Sequence, residues 1–385
     1  MEADERWRPP GPRHDADVML WGRVPYRSLP APARAASHVA SRERALAASE
    51  GRAPEGMRSH RVHRLAPPPG AAGGVRRRVR DFLYGGAVVE FVRGARPPRI
   101  ADVVAAAAGV GLEERSLGLG ADRAAVARAR RGGQELILRM APAGVVSDPS
   151  AAADALVRLE AAGVRGVPRL RGRGHAAGAN WALESVVAGR RPRTITVRVA
   201  AQAVSFCASL PSTGGPPTAL KEELGTLAEL LPERAGDLDG AWHRLASLND
   251  AAPAVLRHGD FWHGNLLVGR GGLSGVIDWD TWHASSLPGI DVLHLFYACR
   301  ATRRGRRGFG DVWPQRPWRS AAFADFAGHY WQRLGFAPDP DLLDVIGVAW
   351  WTGWASRVLR RHPRLARDAK WMQHNVGSVV DAVVR

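Results

Sequence analysis

Lysine is almost missing from this chain: Lys221 and Lys370 are the only two among 54 basic residues, so nearly every cation is an arginine. Cysteine is as scarce, with Cys207 and Cys299 alone. Two unpatterned cysteines exclude a disulfide framework and a structural zinc site built on thiolates, and they favour a reducing compartment. No apolar run approaches the roughly 18 residues that a membrane helix needs. Val103 to Leu112 is among the longest and is mostly alanine and glycine. Met1 to Arg6 has neither a basic nor an apolar signal-like character, so no secretory signal is expected. These absences lead to the expectation of a soluble, cytoplasmic protein with no membrane partner.

The formal charge of +17 invites a nucleic-acid reading, because clustered cations release counterions from a phosphate backbone. The arginines, however, arrive with abundant alanine and glycine, and these three residue types share GC-rich codons. Much of the charge therefore reads as compositional bias over a solvated surface. The densest patch, Arg76-Arg77-Arg78-Val79-Arg80, has only Phe82 and Tyr84 nearby, short of the aromatic platform of a single-strand site. A dedicated nucleic-acid function is not expected.

A chain of 385 residues exceeds one average domain. Residues 1–97 are rich in proline, arginine and alanine, mainly polar from Ser41 to His63, with a linker-like Pro67-Pro68-Pro69-Gly70. Two islands, Val18 to Leu29 and Val79 to Val92, have the apolar content to fold and are expected to pack on the lobe that follows. No internal repeat is evident.

The chemistry concentrates in His258-Gly259-Asp260-Phe261-Trp262-His263-Gly264-Asn265 and in Gly275-Val276-Ile277-Asp278-Trp279-Asp280. Leu266 to Val268 and Leu273 to Ile277 are apolar runs separated by Gly269-Arg270-Gly271-Gly272, which predicts a hairpin. Such a hairpin sets Asn265 before its first strand and Asp278 after its second, on one edge. One carboxylate and two hard oxygen ligands are what phosphoryl transfer asks of a protein, since the reaction needs alignment and charge stabilisation more than covalent help. Two other readings compete: an ordinary His-Gly-Asp turn, and a metal-dependent phosphoesterase using Asp260, Asp278, Asp280 and either His258 or His263.

The spacing of Asp260 and Asn265 matches that of Asp and Asn in the protein-kinase H-R-D-x-x-x-x-N signature. With Asp278, and with Pro288 and Asp291 following, the stretch resembles the motif of the aminoglycoside phosphotransferase and choline kinase group. The resemblance runs roughly from Arg99 to the C-terminus and is strongest over residues 256–292. It implies an α+β, two-lobed protein-kinase-like fold: an N-terminal extension at 1–97, a small β-rich nucleotide-binding lobe with its hinge at 98–190, and a mainly helical catalytic and acceptor-binding lobe at 191–385. It implies Asp260 as catalytic base, His258 as a residue holding the loop, and Asn265 and Asp278 as magnesium ligands. Asp280 and Asp291 have structural hydrogen bonding as the competing role. Trp279 stands where protein kinases have the phenylalanine of Asp-Phe-Gly and fits the small-molecule kinases better.

Upstream, Leu117 to Asp122, Ala125 to Ala129, Gly132-Gly133 and Glu135 to Met140 read as strand, turn, strand. Gly118 and Gly120 are candidates for letting backbone N–H groups approach nucleotide phosphates. Arg139 stands in place of the fold's ATP-pairing lysine, and a guanidinium suits phosphate oxygens. A helix is predicted over Ser150 to Ala162, stopped by Gly163. Its Asp154 lies about where the family has the glutamate that orients the cation, with Glu160 as a later alternative. Trp181 to Gly189 resembles the strand and hinge that carry the adenine, placing Glu184 and Val186 there. Backbone groups read the base in such hinges, so either ATP or GTP fits.

Helical periodicity appears at Ala321 to Leu334 and Leu342 to Leu359, with Asp341 as N-cap of the second. Trp350, Trp351 and Trp354 read mainly as core packing. The segment Arg300 to Arg319 holds seven arginines and one acid, Asp311, a border that would repel a polycation. The expected activity is thus an ATP- and Mg-dependent phosphotransferase acting on a hydroxyl of a small molecule, sugar-like rather than a polycationic aminoglycoside. The alternative left open is a catalytically silent kinase-like protein that binds nucleotide or a partner. The sequence does not address the oligomeric state.

Overall fold

The computed structural model describes the backbone of residues 19–25, 58–64 and 86–92, and residues 100–384 apart from 114–117, 120–123, 143–144, 177, 193 and 302–307. Two compact units divide the chain: Met1–Ala153 with Leu170–Val186, and Asp154–Arg169 with Val187–Arg385.

In the first unit, β1 (Met19–Pro25), β2 (Arg58–Arg64) and β3 (Gly86–Val92) form an antiparallel sheet in the order β1-β3-β2. The two apolar islands thus supply the paired strands β1 and β3. The third, β2, runs through sequence that reads as polar. A second, antiparallel sheet contains β4 (Gly111–Leu112), β5 (Gly118–Leu119), β6 (Ala125–Arg131), β7 (Gln134–Pro142), β8 (Leu170–Ala176) and β9 (Ala179–Ser185), in the order β4-β6-β7-β9-β8 with β5 also on β6. The β6–β7 turn is made by Gly132 and Gly133, both at positive φ, where a side chain would be strained. Strand alternation then sorts β7: Leu136, Leu138 and Met140 point to one face and are wholly buried. Helix α1 (Ile100–Ala107) packs there, adding Ala101, Val104 and Ala105 to a core shared with Ala125, Ala129 and Leu183. Each large apolar side chain in this core contributes about 1.5–3 kcal/mol. The opposite face carries Ile137 and Arg139.

Helix α2 (Pro149–Ala161) follows, beginning one residue before the predicted start. Asp148 caps it, its Oδ1 accepting from Ser150 N at 2.9 Å, while its carboxylate also takes the Asn180 amide at 2.9 Å. Gly163, at φ +69°, ends it as expected.

The second unit is mainly helical. Helices α3 (Val197–Cys207), α4 (Ala219–Leu230) and α5 (Ala235–Asp250) precede the short strand β10 (Val255–Arg257), the hairpin β11 (Leu266–Gly269) and β12 (Gly272–Val276), and β13 (His283–Ser286), which pairs with β10. Helix α6 (Ile290–Ala301), a short α7 (Phe309–Val312), α8 (Ala321–Leu334) and the long α9 (Pro340–Arg361) follow in the chain. α8 has the predicted limits. α9 begins earlier than predicted: its N-cap is Asp339, accepting from Leu342 N at 2.8 Å, and not Asp341. Pro340 explains the shift, since its fixed φ and missing N–H suit the first helical position. On α9, Trp350 and Trp351 are buried and Trp354 is half-buried, with Trp351 Nε1 donating to Asn375 O. Among the described residues no helix is long and apolar enough to cross a membrane.

Candidate active site

The hairpin forms with Leu266 opposite Val276. The Ile277 N–H donates to Asn265 O at 3.0 Å, which extends the ladder one step. Asn265 and Asp278 are therefore carried by the open end of one hairpin, and short strands between them fix that placement. Asp278 has φ +76°, uncommon for a residue with a Cβ. Such strain costs on the order of 1–3 kcal/mol and persists where the surroundings impose it, as at functional turns.

His258, Gly259 and Asp260 leave β10 through a turn that their neighbours define tightly. His258 is wholly buried, its ring 4.5 Å from Trp279 and edge-on to Phe261 at 5.7 Å. Phe206 of α3 stacks in turn on Phe261. The ring nitrogens have distinct partners: Nε2 donates to Ile277 O at 3.0 Å, and Nδ1 accepts from Asp260 N at 3.2 Å. A carbonyl needs a donor and an N–H needs an acceptor, so the neutral Nε2–H tautomer is selected. His258 thereby ties the Asp260 turn to the strand end leading to Asp278. Gly259 adopts φ +82°, and a Cβ there would overlap the Thr281 carbonyl oxygen.

Asp291, on the first turn of α6, is buried and accepts both N–H groups of the turn, from His258 at 2.6 Å and from Gly259 at 2.9 Å. These bonds are a structural role: Asp291 holds the backbone of the turn.

Asp260 itself is ringed by donors. Its Oδ2 accepts from Trp262 Nε1 at 3.2 Å and from Asn265 Nδ2 at 3.0 Å; Asn265 Nδ2 also donates to Asp260 O at 2.9 Å. With the amide nitrogen turned to Asp260, Oδ1 is the side-chain atom of Asn265 suited to a cation. Desolvation opposes ionisation of Asp260, but the Arg357 guanidinium, with Arg361 adding to it, outweighs it and holds the carboxyl below the usual aspartate range. Asp260 is ionised at neutral pH, suited to orienting a hydroxyl more than to early proton abstraction. Half-buried His294 is held down at about 4, chiefly by desolvation, and is neutral there.

Asn265 Oδ1 and the Asp278 carboxylate are hard oxygen donors of the kind magnesium takes. Among the described residues no group of three His, Cys, Asp or Glu could hold a metal ion unaided. Magnesium does not require such a cage, since it usually takes one or two protein carboxylates with waters and substrate phosphates.

In the sheet unit, Arg139 and Glu184 share the face opposite α1, as diagonal neighbours set by the β7–β9 register that pairs Ile137 with Glu184. Arg139 Nε lies 3.0 Å from Glu184 Oε1, with the side chains 15% and 5% exposed. Sequence reasoning placed Glu184 in the hinge without this pairing, which follows from a strand register that no local motif reports. Val186, just beyond β9, is exposed. Gly118 pairs with Val126 within the sheet, and Gly120 lies outside the described residues. Asp154 and Glu160 are both exposed on α2, and Glu160 faces Arg169 at 3.6 Å.

Two of the seven arginines between residues 300 and 319 are neutralised by two acids: Arg316 reaches Asp344 at 3.0 Å, and Arg319 donates from Nε to Asp344 at 2.8 Å while its Nη2 lies 3.6 Å from Asp341. Arg303, Arg304, Arg306 and Arg307 lie outside the described residues. The case against a polycationic acceptor loses those two charges. Burial raises the thiols of Cys207 and Cys299, so neither is an activated nucleophile.

No curated protein matches the chain. Solved structures similar to it include the aminoglycoside-3'-phosphotransferase of type VIII, 21% identical over 66% of this chain and 98% of the other, with a TM-score of 0.46. Macrolide 2'-phosphotransferase MphH from Brachybacterium faecium, as apoenzyme, is 18% identical over 72% and 97%, with a TM-score of 0.46. The aminoglycoside phosphotransferase APH(3'')-Id from Streptomyces rimosus, in complex with ADP and streptomycin, is 18% identical over 66% and 96%, with a TM-score of 0.44. The model of the family APH, described as "Phosphotransferase enzyme family", matches residues 113–357, a span that takes in Arg139, the whole of the Asp260 turn and the hairpin ending at Asp278. The chain, with its small antiparallel sheet unit and mainly helical remainder, belongs to that phosphotransferase family and has its protein-kinase-like fold.

Proposed function

We propose that the chain is an ATP- and magnesium-dependent kinase of a small-molecule hydroxyl. The observation that carries this reading is the Asn265 side chain, whose Nδ2 is spent on Asp260 O and Oδ2 at 2.9 and 3.0 Å, so that base and metal ligand are locked together and Oδ1 is turned to other work. Asp260 orients the acceptor hydroxyl and takes up its proton as the phosphoryl group is transferred. Asn265 and Asp278 would hold magnesium, which supplies charge neutralisation to the nucleotide's phosphates. His258 keeps the two halves of the site in register. Arg139, steadied by Glu184, is the phosphate-pairing cation, and Gly118, Gly120, Asp154 and Val186 are the further nucleotide-side residues of this reading.

The acceptor we favour is a neutral or anionic hydroxyl compound such as a sugar. The remaining arginines of the 300–307 stretch motivate that preference, since Arg316 and Arg319 are already compensated by Asp344 and Asp341.

Thermal stabilisation by Mg·ATP, Mg·GTP and each component alone, followed by turnover across neutral sugars, sugar phosphates and kanamycin-like polycations, tests the reading. Stabilisation that needs both nucleotide and magnesium, with transfer to a sugar-like hydroxyl, is expected. Binding without transfer to any acceptor would support a silent kinase-like protein instead, and efficient transfer to the polycation would reject the acceptor preference.

A further inference from the structure

The loop from Asp260 to Asn265 contains His263 but no arginine or lysine. A carboxylate that aligns a hydroxyl while a phosphoryl group arrives stands among accumulating negative charge, and a fixed cation beside it lowers that cost. The cation comes from the far end of α9. Arg357 Nη1 donates to Gly259 O at 2.6 Å, and Nη2 lies 3.7 Å from Asp260 Oδ1, on a side chain only 13% exposed. Gly259 is thus gripped from both sides, its N–H by the Asp291 carboxylate and its carbonyl by the Arg357 guanidinium. The two carboxylate oxygens of Asp260 differ accordingly: Oδ2 is taken by Trp262 and Asn265, and Oδ1 faces the guanidinium.

We propose that Arg357 is a positioning residue of the transfer reaction, holding the Gly259 carbonyl with one arm and setting the direction of Asp260 Oδ1 with the other. The proposal rests on Asp260 acting as the base. A planar fork suits the task because acceptors on two successive residues are met by one rigid group. At 3.7 Å the guanidinium neutralises Oδ1 without a short hydrogen bond, which leaves that oxygen a lone pair for the acceptor's O–H. During transfer the acceptor oxygen bonds to phosphorus as the bond from phosphorus to the leaving nucleoside diphosphate breaks, and the hydroxyl proton passes to Asp260.

The test uses Arg357→Met and Arg357→Lys in the full chain, each also combined with Asp260→Asn. The probes are Mg·ATP hydrolysis, with water as acceptor, for kcat and KM, and mant-ADP for nucleotide affinity. Arg357→Met should lower kcat about 10- to 100-fold while KM for Mg·ATP and mant-ADP affinity stay within about twofold. Arg357→Lys should recover a large part of the loss. In the Asp260→Asn background, Arg357→Met should cost nothing further, because groups acting through one another are not additive. An inactive Asp260→Asn beside a fully active Arg357→Met overturns the role of Arg357 alone. So does a loss spread equally over kcat and nucleotide affinity without recovery by lysine, or a full additional loss in the double variant. A fully active Asp260→Asn, or a wild type that never turns over Mg·ATP, overturns the reading of the site and the role of Arg357 with it.

Discussion

Arg139 in the sheet unit and Asp260 in the helical unit are both charged groups that must point in one direction, and the chain holds them in opposite ways. Arg139 sits on a strand between flanking strands. The pleat aims its side chain, and the Glu184 carboxylate meets it from the neighbouring strand. Asp260 sits in a turn, where no ladder fixes direction. Four separate stretches supply the restraint: His258 and Trp262 from the loop, Asn265 at the hairpin, Asp291 on α6 and Arg357 on α9. A side chain on a sheet borrows its orientation from the backbone. One on a turn has to be given it by partners, and the number of partners measures how much has to be supplied.

That contrast orders the expected effects of substitution. Asp260→Asn keeps the shape but cannot take the hydroxyl proton, so kcat should fall about 10²- to 10⁴-fold with nucleotide affinity nearly intact. Steady-state turnover beside nucleotide binding would show this, and near-normal turnover by the folded variant would remove Asp260 from the role of base. Gly259→Ala attacks the turn without touching any charge. At φ +82°, with its Cβ against the Thr281 carbonyl, it should cost about 2–4 kcal/mol of stability in urea unfolding and take activity down with it. A stable, active Gly259→Ala protein would mean that the turn has a second workable geometry.

The sheet pair should be more forgiving. Glu184→Gln leaves a hydrogen-bond acceptor beside Arg139 and leaves the strand register intact, so a loss of about 1–2 kcal/mol and a three- to tenfold rise in KM for the nucleotide are expected. A fall in kcat as deep as that of Asp260→Asn would break the comparison, since backbone pairing would then not suffice. The smallest effect is expected at Glu222. The hydrogen bond from His283 Nε2 at 2.9 Å, with one from Thr218, holds its carboxyl below the usual glutamate range. A lowered native value stabilises the fold above the unfolded value of about 4.3 and loses that contribution as pH falls through the native one. Because the Glu222 side chain is 61% exposed, no more than about 0.5 kcal/mol is at stake. Tm of wild type and Glu222→Gln should therefore differ slightly at pH 7 and converge on acidification below pH 4.

Spacing and local pattern encode one part of the site and leave another part silent. Asn265 and Asp278 were legible as one edge because a four-residue glycine-rich turn between apolar runs leaves the strands little choice but to pair. α8 was legible to its ends, with Ser320 capping Phe323 N and Gly335 in the left-handed region closing it. The cap of α9 was misplaced by two residues because Asp339 and Asp341 are chemically equivalent, and only the proline between them breaks the tie. Trp262 was hidden by its type: an indole reads as packing, yet its Nε1–H is a donor to the candidate base. Arg357, and the pairing of the hinge residue Glu184 with Arg139, were hidden by distance, since neither residue lies in a motif with the group it holds.

The sequence by itself determined the chemistry on offer: a carboxylate, an amide five residues on, a second carboxylate beyond a hairpin, and an arginine where the fold expects a lysine. Those are local facts, set by chain connectivity and turn geometry. Tertiary structure decided how each group is used. It neutralised Asp260 with a guanidinium 97 positions away, turned the Asn265 amide nitrogen onto Asp260, and gave Arg139 a buried partner from the next strand. The physical reason is that the direction and charge state of a side chain depend on burial and on neighbours within a few ångströms, and in a folded chain those neighbours come from anywhere in the sequence.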